Sequence, residues 1–214
     1  MAYIIDETYF QRELYVPNAG ELNSGALEEL TQFIDEKSRL CLKEVLGYSL
    51  FKDFDSNMSY GNIEGTAPVK WLNLVNGVEY TIDGKSYKWQ GLKVEEGAFK
   101  RSLLANYTFY YWLEFNQSRM SGVGEVVLTA KNAVNVNPTQ RLVKVWNEFV
   151  DMYQGSEYIN TPSTYYKGSV KVTDYYSSSD NSDFVSLLQF LSDNDTDYLD
   201  APLKMYRKQN QLGI

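Results

Sequence analysis

The segment LLANYTFYYWLEF at 103–115 sets the first condition on any fold for this chain. Wound as a helix at about 100° per residue, Tyr107, Phe109, Tyr110, Tyr111, Trp112 and Phe115 point in nearly every direction and leave no face for water. A helix that is apolar all round is surrounded by protein. It is either the central helix of a bundle or is covered in part by a neighbouring subunit. An aromatic platform for a ligand is the competing reading. The SGVGEV that follows imitates a dinucleotide fingerprint, but its third Gly is missing and it comes after a helix rather than a strand. Gly122 and Gly124 are read instead as ending the aromatic helix and turning the chain into a strand-like EVVLT.

The strongest local signal is VEYTIDGKSYKW at 78–89. Asp83-Gly84 is the dipeptide a two-residue type I′ turn demands, and folding about it sets Val78 opposite Trp89, Tyr80 opposite Tyr87 and Glu79 opposite Lys88. Apolar and polar residues then sort onto opposite faces, as in a half-buried hairpin. Around it the spacing predicts helices. Ser24 caps one over 24–46, with Glu28 and Glu29 near its positive end and Gly47 as its stop, and YSLFKDF continues beyond. A short helix is expected around PVKWLNLV, a long one over 95–118, and another over 139–153 with Leu142, Val145, Trp146, Phe149, Val150 and Tyr153 as its core stripe. The N-terminal AYIIDETYFQRELYVPNAGEL has strand-like and short helical stretches, and SNMSYGNIEGTAP reads as loop. A last helix is expected in DFVSLLQFLSDN.

The fold class is therefore mainly α: a helical bundle with an inserted β-hairpin and an extended C-terminal arm. Its divisions are a helical core at 1–153 with the hairpin at 78–89, a projecting Ser-, Tyr- and Gly-rich loop or arm at 154–182 containing a strand-like KGSVKVTDYY, and a C-terminal helix and tail at 183–214. The chain has 214 residues, enough to bury one sizeable core.

Composition removes much of enzymology. With no His and a single Cys, the chain has no intrachain disulfide, no Cys/His zinc site and no Ser-His or Cys-His nucleophile pair. Cys41 falls in the apolar series Leu27, Leu30, Ile34, Cys41, Val45 at helical spacing and is expected in the core. A net charge of −8 disfavours broad contact with nucleic-acid phosphates. No signal-like segment or membrane-length apolar run is seen, so cytoplasmic synthesis is expected. Asp55, Asn57 and Ser59, and again Asp193, Asp195 and Asp197, have the first spacings of a calcium loop. Tyr60 and Tyr198 stand where the turn glycine belongs, however, and both read as solvated turns, the second being the better candidate for a weak site. Among 28 acidic residues nothing singles out a hydrolase pair. No cofactor or catalytic residue is expected. The 18 Tyr point to an interaction surface, since Tyr joins a large apolar body to a polar tip.

Several stretches together resemble the head-tail connector or adaptor proteins of the virion neck in tailed phages and prophages of Bacteroides-type bacteria, including crAss-like phages. They are DETYFQRELYVPN, LKEVLGYSLFKDF, VKWLNLVNGVEYT with YKWQGL, LLANYTFYYW followed by GVGEV, VNPTQRLVKVWNEFV and the terminal LGI. The resemblance implies a small, mainly helical, non-enzymatic virion subunit. It would assemble as a homo-oligomeric ring, usually twelvefold, below the portal protein, touch other neck or tail proteins, and continue a channel through which DNA passes without specific binding. No membrane is involved. The candidate interface residues are Tyr80, Tyr87 and Trp89 on the hairpin, Tyr110 and Trp112 on the aromatic helix, Tyr165, Tyr166, Tyr175 and Tyr176 in the arm, and Leu212 and Ile214 in a tail expected to insert into a neighbour or the portal. A soluble module that binds glycan or peptide through these aromatics is the alternative.

Overall fold

A computed structural model describes residues 3–21, 24–116, 119–121, 124–126, 139–155 and 183–210. Two single 3-10 turns, Glu7–Tyr9 and Arg12–Leu14, open the chain, and no strand forms in 3–21. Helix α1, Gly25–Ser56, begins where Ser24 Oγ accepts the Leu27 N–H at 3.0 Å. Gly47 does not end it. At φ +77° and ψ 165° it inserts a kink, and the helix resumes at once through the YSLFKDF segment. The expected loop beyond it carries a small ribbon of β1, Met58–Ser59, and β2, Asn62–Ile63, before α2, Val69–Asn76.

Strands β3, Val78–Ile82, and β4, Lys85–Trp89, pair in the register set by Asp83-Gly84, with Val78 opposite Trp89 and Tyr80 opposite Tyr87. The expected helix over 95–118 begins late. Its first residues form a second hairpin, β5, Val94–Glu96, and β6, Phe99–Arg101, turning at Gly97 with φ +63°. Ser102 then caps α3, Leu103–Phe115, accepting the Leu104 N–H at 3.1 Å while donating to the Leu92 carbonyl at 2.5 Å. The helix closes at Asn116, ahead of the glycines expected to end it. Gly124 lies instead in β8, Gly124–Val126, which pairs with β7, Arg119–Ser121.

Helix α4, Thr139–Gln154, matches expectation, with Val145, Phe149, Val150 and Tyr153 buried. The last expected helix is shortened from its N-terminus. Asp183 and Phe184 form β9, which joins β4 in parallel register, and only then does Ser186 cap α5, Leu187–Asp193. The β3–β4 hairpin thereby becomes a three-stranded sheet of order β3-β4-β9. The architecture is mainly α, with five helices among the described residues and small, mostly antiparallel pairs between them.

The core explains the aromatic segment. α3 packs between α1 and α4, and every residue of its first half from Leu103 to Phe109 is buried. Tyr107 meets Tyr111 at 4.9 Å and Phe149 at 5.0 Å between ring centroids. Cys41 is fully buried on the facing side of α1, and burial pushes its thiol pKa well up. The second half of α3 is only half-buried at Tyr110, Tyr111 and Trp112, and Phe115 is 58% exposed.

Candidate assembly surface

The apolar side of the hairpin, expected to face a partner, is covered by the chain itself. Trp89 and Tyr87 are buried, Trp89 stacking on Phe190 of α5 at 5.7 Å and donating its indole N–H to the Leu74 carbonyl at 3.0 Å. Tyr80 stacks on Tyr87 and donates its hydroxyl to Asp193 at 2.7 Å. The reason is β9. Its pairing with β4 brings α5 onto the apolar side of the hairpin, which sequence reasoning had left open.

Tyr110 and Trp112 face other parts of the same chain. Tyr110 lies 4.8 Å from Trp146 and accepts a hydrogen bond from Gln209 at 3.0 Å, while Trp112 stacks on Phe109. The tail also folds back rather than outward. Tyr206 sits against Phe149 and Tyr153, each at 5.1 Å, and donates its hydroxyl to Glu44 at 2.8 Å. Lys204 pairs with the same carboxylate and Lys208 with Asp151. Through Asn210 the tail thus lies against α1, α3 and α4 of its own chain. Tyr165, Tyr166, Tyr175, Tyr176, Leu212 and Ile214 lie outside the described residues.

Among the described residues, exposed apolar side chains that the sequence did not single out lie at two places along α1. The first surrounds the α1 kink. Tyr48 is 67% exposed there, and a Cβ on the adjacent Gly47 would meet the Asp200 carbonyl and Pro202 at 3.3 Å, so the chain carrying Leu199, Leu203 and Met205 runs alongside. On α2, Val69 is 69% exposed next to Lys70, whose carbonyl accepts the Tyr198 hydroxyl at 2.6 Å. The second lies nearer the start of α1, where the half-buried Phe33 packs on the exposed Phe115 at 5.3 Å. At 1.5 Å rise per residue, Phe33 and the kink are roughly 20 Å apart.

The polar clefts offer less chemistry. One of about 610 Å³, lined by Tyr9, Arg12, Glu13, Arg101, Asn106 and Glu148, mixes charges of both signs. Its Glu13 carboxyl is held below the usual range by a hydrogen bond from Lys144, and Asn106 donates to Glu148 at 3.0 Å. Glu95, nearby, is lowered by the Tyr9 hydroxyl. Both displaced carboxyls move downward, the direction opposite to that of a proton donor at neutral pH. A second cleft of about 700 Å³ opens beside the hairpin turn and includes Asp193 and Asp195. Neither calcium-like spacing yields a nest of ligands. Asp55 belongs to α1 and binds Arg39 at 2.5 Å and the Tyr3 hydroxyl at 2.8 Å, while Asp193 accepts from Tyr80 and Gln189. Among the described residues no three His, Cys, Asp or Glu side chains cluster as a metal site would need, and no helix is long and apolar enough to cross a membrane. Compared with protein-family models, curated proteins and solved structures, the chain finds no match.

Proposed function

We propose that the chain is a non-enzymatic structural subunit of a tailed-phage neck, a head-tail connector or adaptor that assembles as a ring below the portal, twelvefold as in the family it resembles. What supports this reading is the exposed apolar side chains, among the described residues, at two places along α1: Tyr48, Val69, Leu199, Leu203 and Met205 near the kink, and Phe115, against the half-buried Phe33, nearer its start. A ring is closed by heterologous contacts, in which one face of each subunit meets a different face of the next. Two such places, unlike in composition, on one helical body would supply the two faces. Aromatic and Met side chains are also the types enriched at such interfaces. The net charge of −8 suits a conduit that repels DNA phosphate and lets the genome pass. For the alternative, a module that binds glycan or peptide through its aromatics, the hairpin offers little, because Trp89 and Tyr87 are buried.

Peptide mass spectrometry on DNA-filled particles banded in a density gradient tests the assignment, with copies counted against the major capsid protein. The expected result is a ring-like copy number in every clean preparation. Absence of the chain from infectious particles would overturn it.

A further inference from the structure

The way α4 holds the C-terminal segment is unusual for a packed tail, because most of its polar contacts go to main chain. The Gln154 side-chain amide donates to the Tyr206 carbonyl at 2.9 Å and accepts the Tyr206 N–H at 3.0 Å. The Asn147 amide repeats the pattern on Gln209, donating to its carbonyl at 2.9 Å and accepting its N–H at 2.8 Å. Between them the Trp146 indole donates to the Arg207 carbonyl at 2.8 Å. The spacings match. Two turns of helix separate Asn147 from Gln154, about 10.5 Å along the axis, and three residues of extended chain from Tyr206 to Gln209 cover about 10 Å. One side chain, Tyr206, anchors the segment by entering the aromatic cluster of Trp146, Phe149 and Tyr153.

We propose that this face of α4 is a groove for an extended peptide with one aromatic anchor, and that its second occupant, besides the chain's own residues 203–210, is the same segment of another copy. These main-chain contacts, the Tyr206 ring and the side-chain contacts of Lys204, Lys208 and Gln209 are all reproduced when an identical segment arrives from outside. The connection also favours release. Tyr198 and Tyr206 are both buried, but the residues between them are largely exposed, and Leu203 sits at φ +45°, a conformation an L-residue adopts at a cost. Letting the segment go relieves that cost, and an exchanged copy restores every groove contact. The inference stands on α4 and its ligand, and it holds whether or not the chain builds a ring.

Two full-length variants test it by complementation. Tyr206→Ala keeps the groove and loses the anchor, while N147D/Q154E keeps the anchor and sets carboxylates against the Gln209 and Tyr206 carbonyls. In native mass spectrometry an equimolar mixture is expected to give a complex of one copy of each, at least tenfold more abundant than either homodimer. A spectrum equal to the sum of the two separate variants would overturn the proposal. Should a variant fail to fold, the wild-type chain decides. A fluorescent peptide of residues 203–210 is expected to bind it saturably and to lose that binding when the peptide carries Tyr206→Ala. No binding at millimolar peptide, or equal binding by both peptides, would sink the groove.

Discussion

Gly91 gives the sharpest test of how the hairpin is fixed to the helical core. It has φ +97°, and a Cβ added there would lie 2.6 Å from the Val75 carbonyl oxygen, 2.7 Å from Gly77 N and 2.8 Å from the Asn76 carbonyl carbon. All three are main-chain atoms at the end of α2, and none is the movable tip of a side chain. They are also held from behind, since Leu92 and Lys93 donate their N–H groups to the Leu74 and Val75 carbonyls at 3.1 and 3.3 Å. Gly97 supplies the control, with φ +63° but open space where its Cβ would go. Gly97→Ala therefore costs only the left-handed conformation, about 1–2 kcal/mol. Gly91→Ala adds overpacking of about 1–3 kcal/mol and strains hydrogen bonds whose net value is about 1 kcal/mol each. We expect a loss of about 3–5 kcal/mol for Gly91→Ala, at least about 2 kcal/mol more than for Gly97→Ala. Urea unfolding followed by tryptophan fluorescence measures both. Equal losses in the two variants would refute the close approach of α2 and the strand exit as the reason for glycine at 91.

Trp89→Ala should strongly destabilise the folded chain. A buried Trp costs about 3–5 kcal/mol on truncation, and a drop of less than about 1 kcal/mol in urea would show the ring to be dispensable to the core. Stability should also fall in acid. Lys144 on Glu13 and the Tyr9 hydroxyl on Glu95 lower both carboxyl pKa values in the folded chain, so their contribution is present above the ordinary carboxylate range. It is lost as pH falls through the folded values, because the unfolded chain takes up the protons first. Urea midpoints measured from pH 7 to pH 3 should decline less steeply for Glu13→Gln combined with Glu95→Gln, and an unchanged slope would deny these pairs a role.

Where a signal is local, the sequence carries it. Asp83-Gly84 dictates the hairpin register, Ser24 starts α1, and Val145, Phe149, Val150 and Tyr153 of the α4 stripe are buried, whereas Gly47, read as a stop, only bends α1. Where two distant segments decide, the sequence is silent. Nothing in DFVSLL reveals that Asp183 and Phe184 will lie beside β4, yet that pairing converts Trp89 and Tyr87 from candidate contacts into core. The error over 95–101 is of another kind. Gly97 and Ser102 were turn and cap signals that a long apolar pattern outweighed. The half-buried Phe33 and the exposed Phe115 need the antiparallel packing of α1 and α3 before they meet.

The parallel pairing of β4 with β9 also fixes an order of events. The β3–β4 hairpin closes through a two-residue turn and needs no other part of the chain, whereas Lys88 finds Phe184 only after α3 and α4 have been laid down between them. Contacts so distant in sequence carry a large loop-closure entropy and form late. Until they do, the indole of Trp89 has no Phe190 to stack on, and the side of the hairpin that ends as core is open to other chains. During synthesis this side of the hairpin is therefore among the last apolar faces to be covered, and the arrival of α5 ends its exposure.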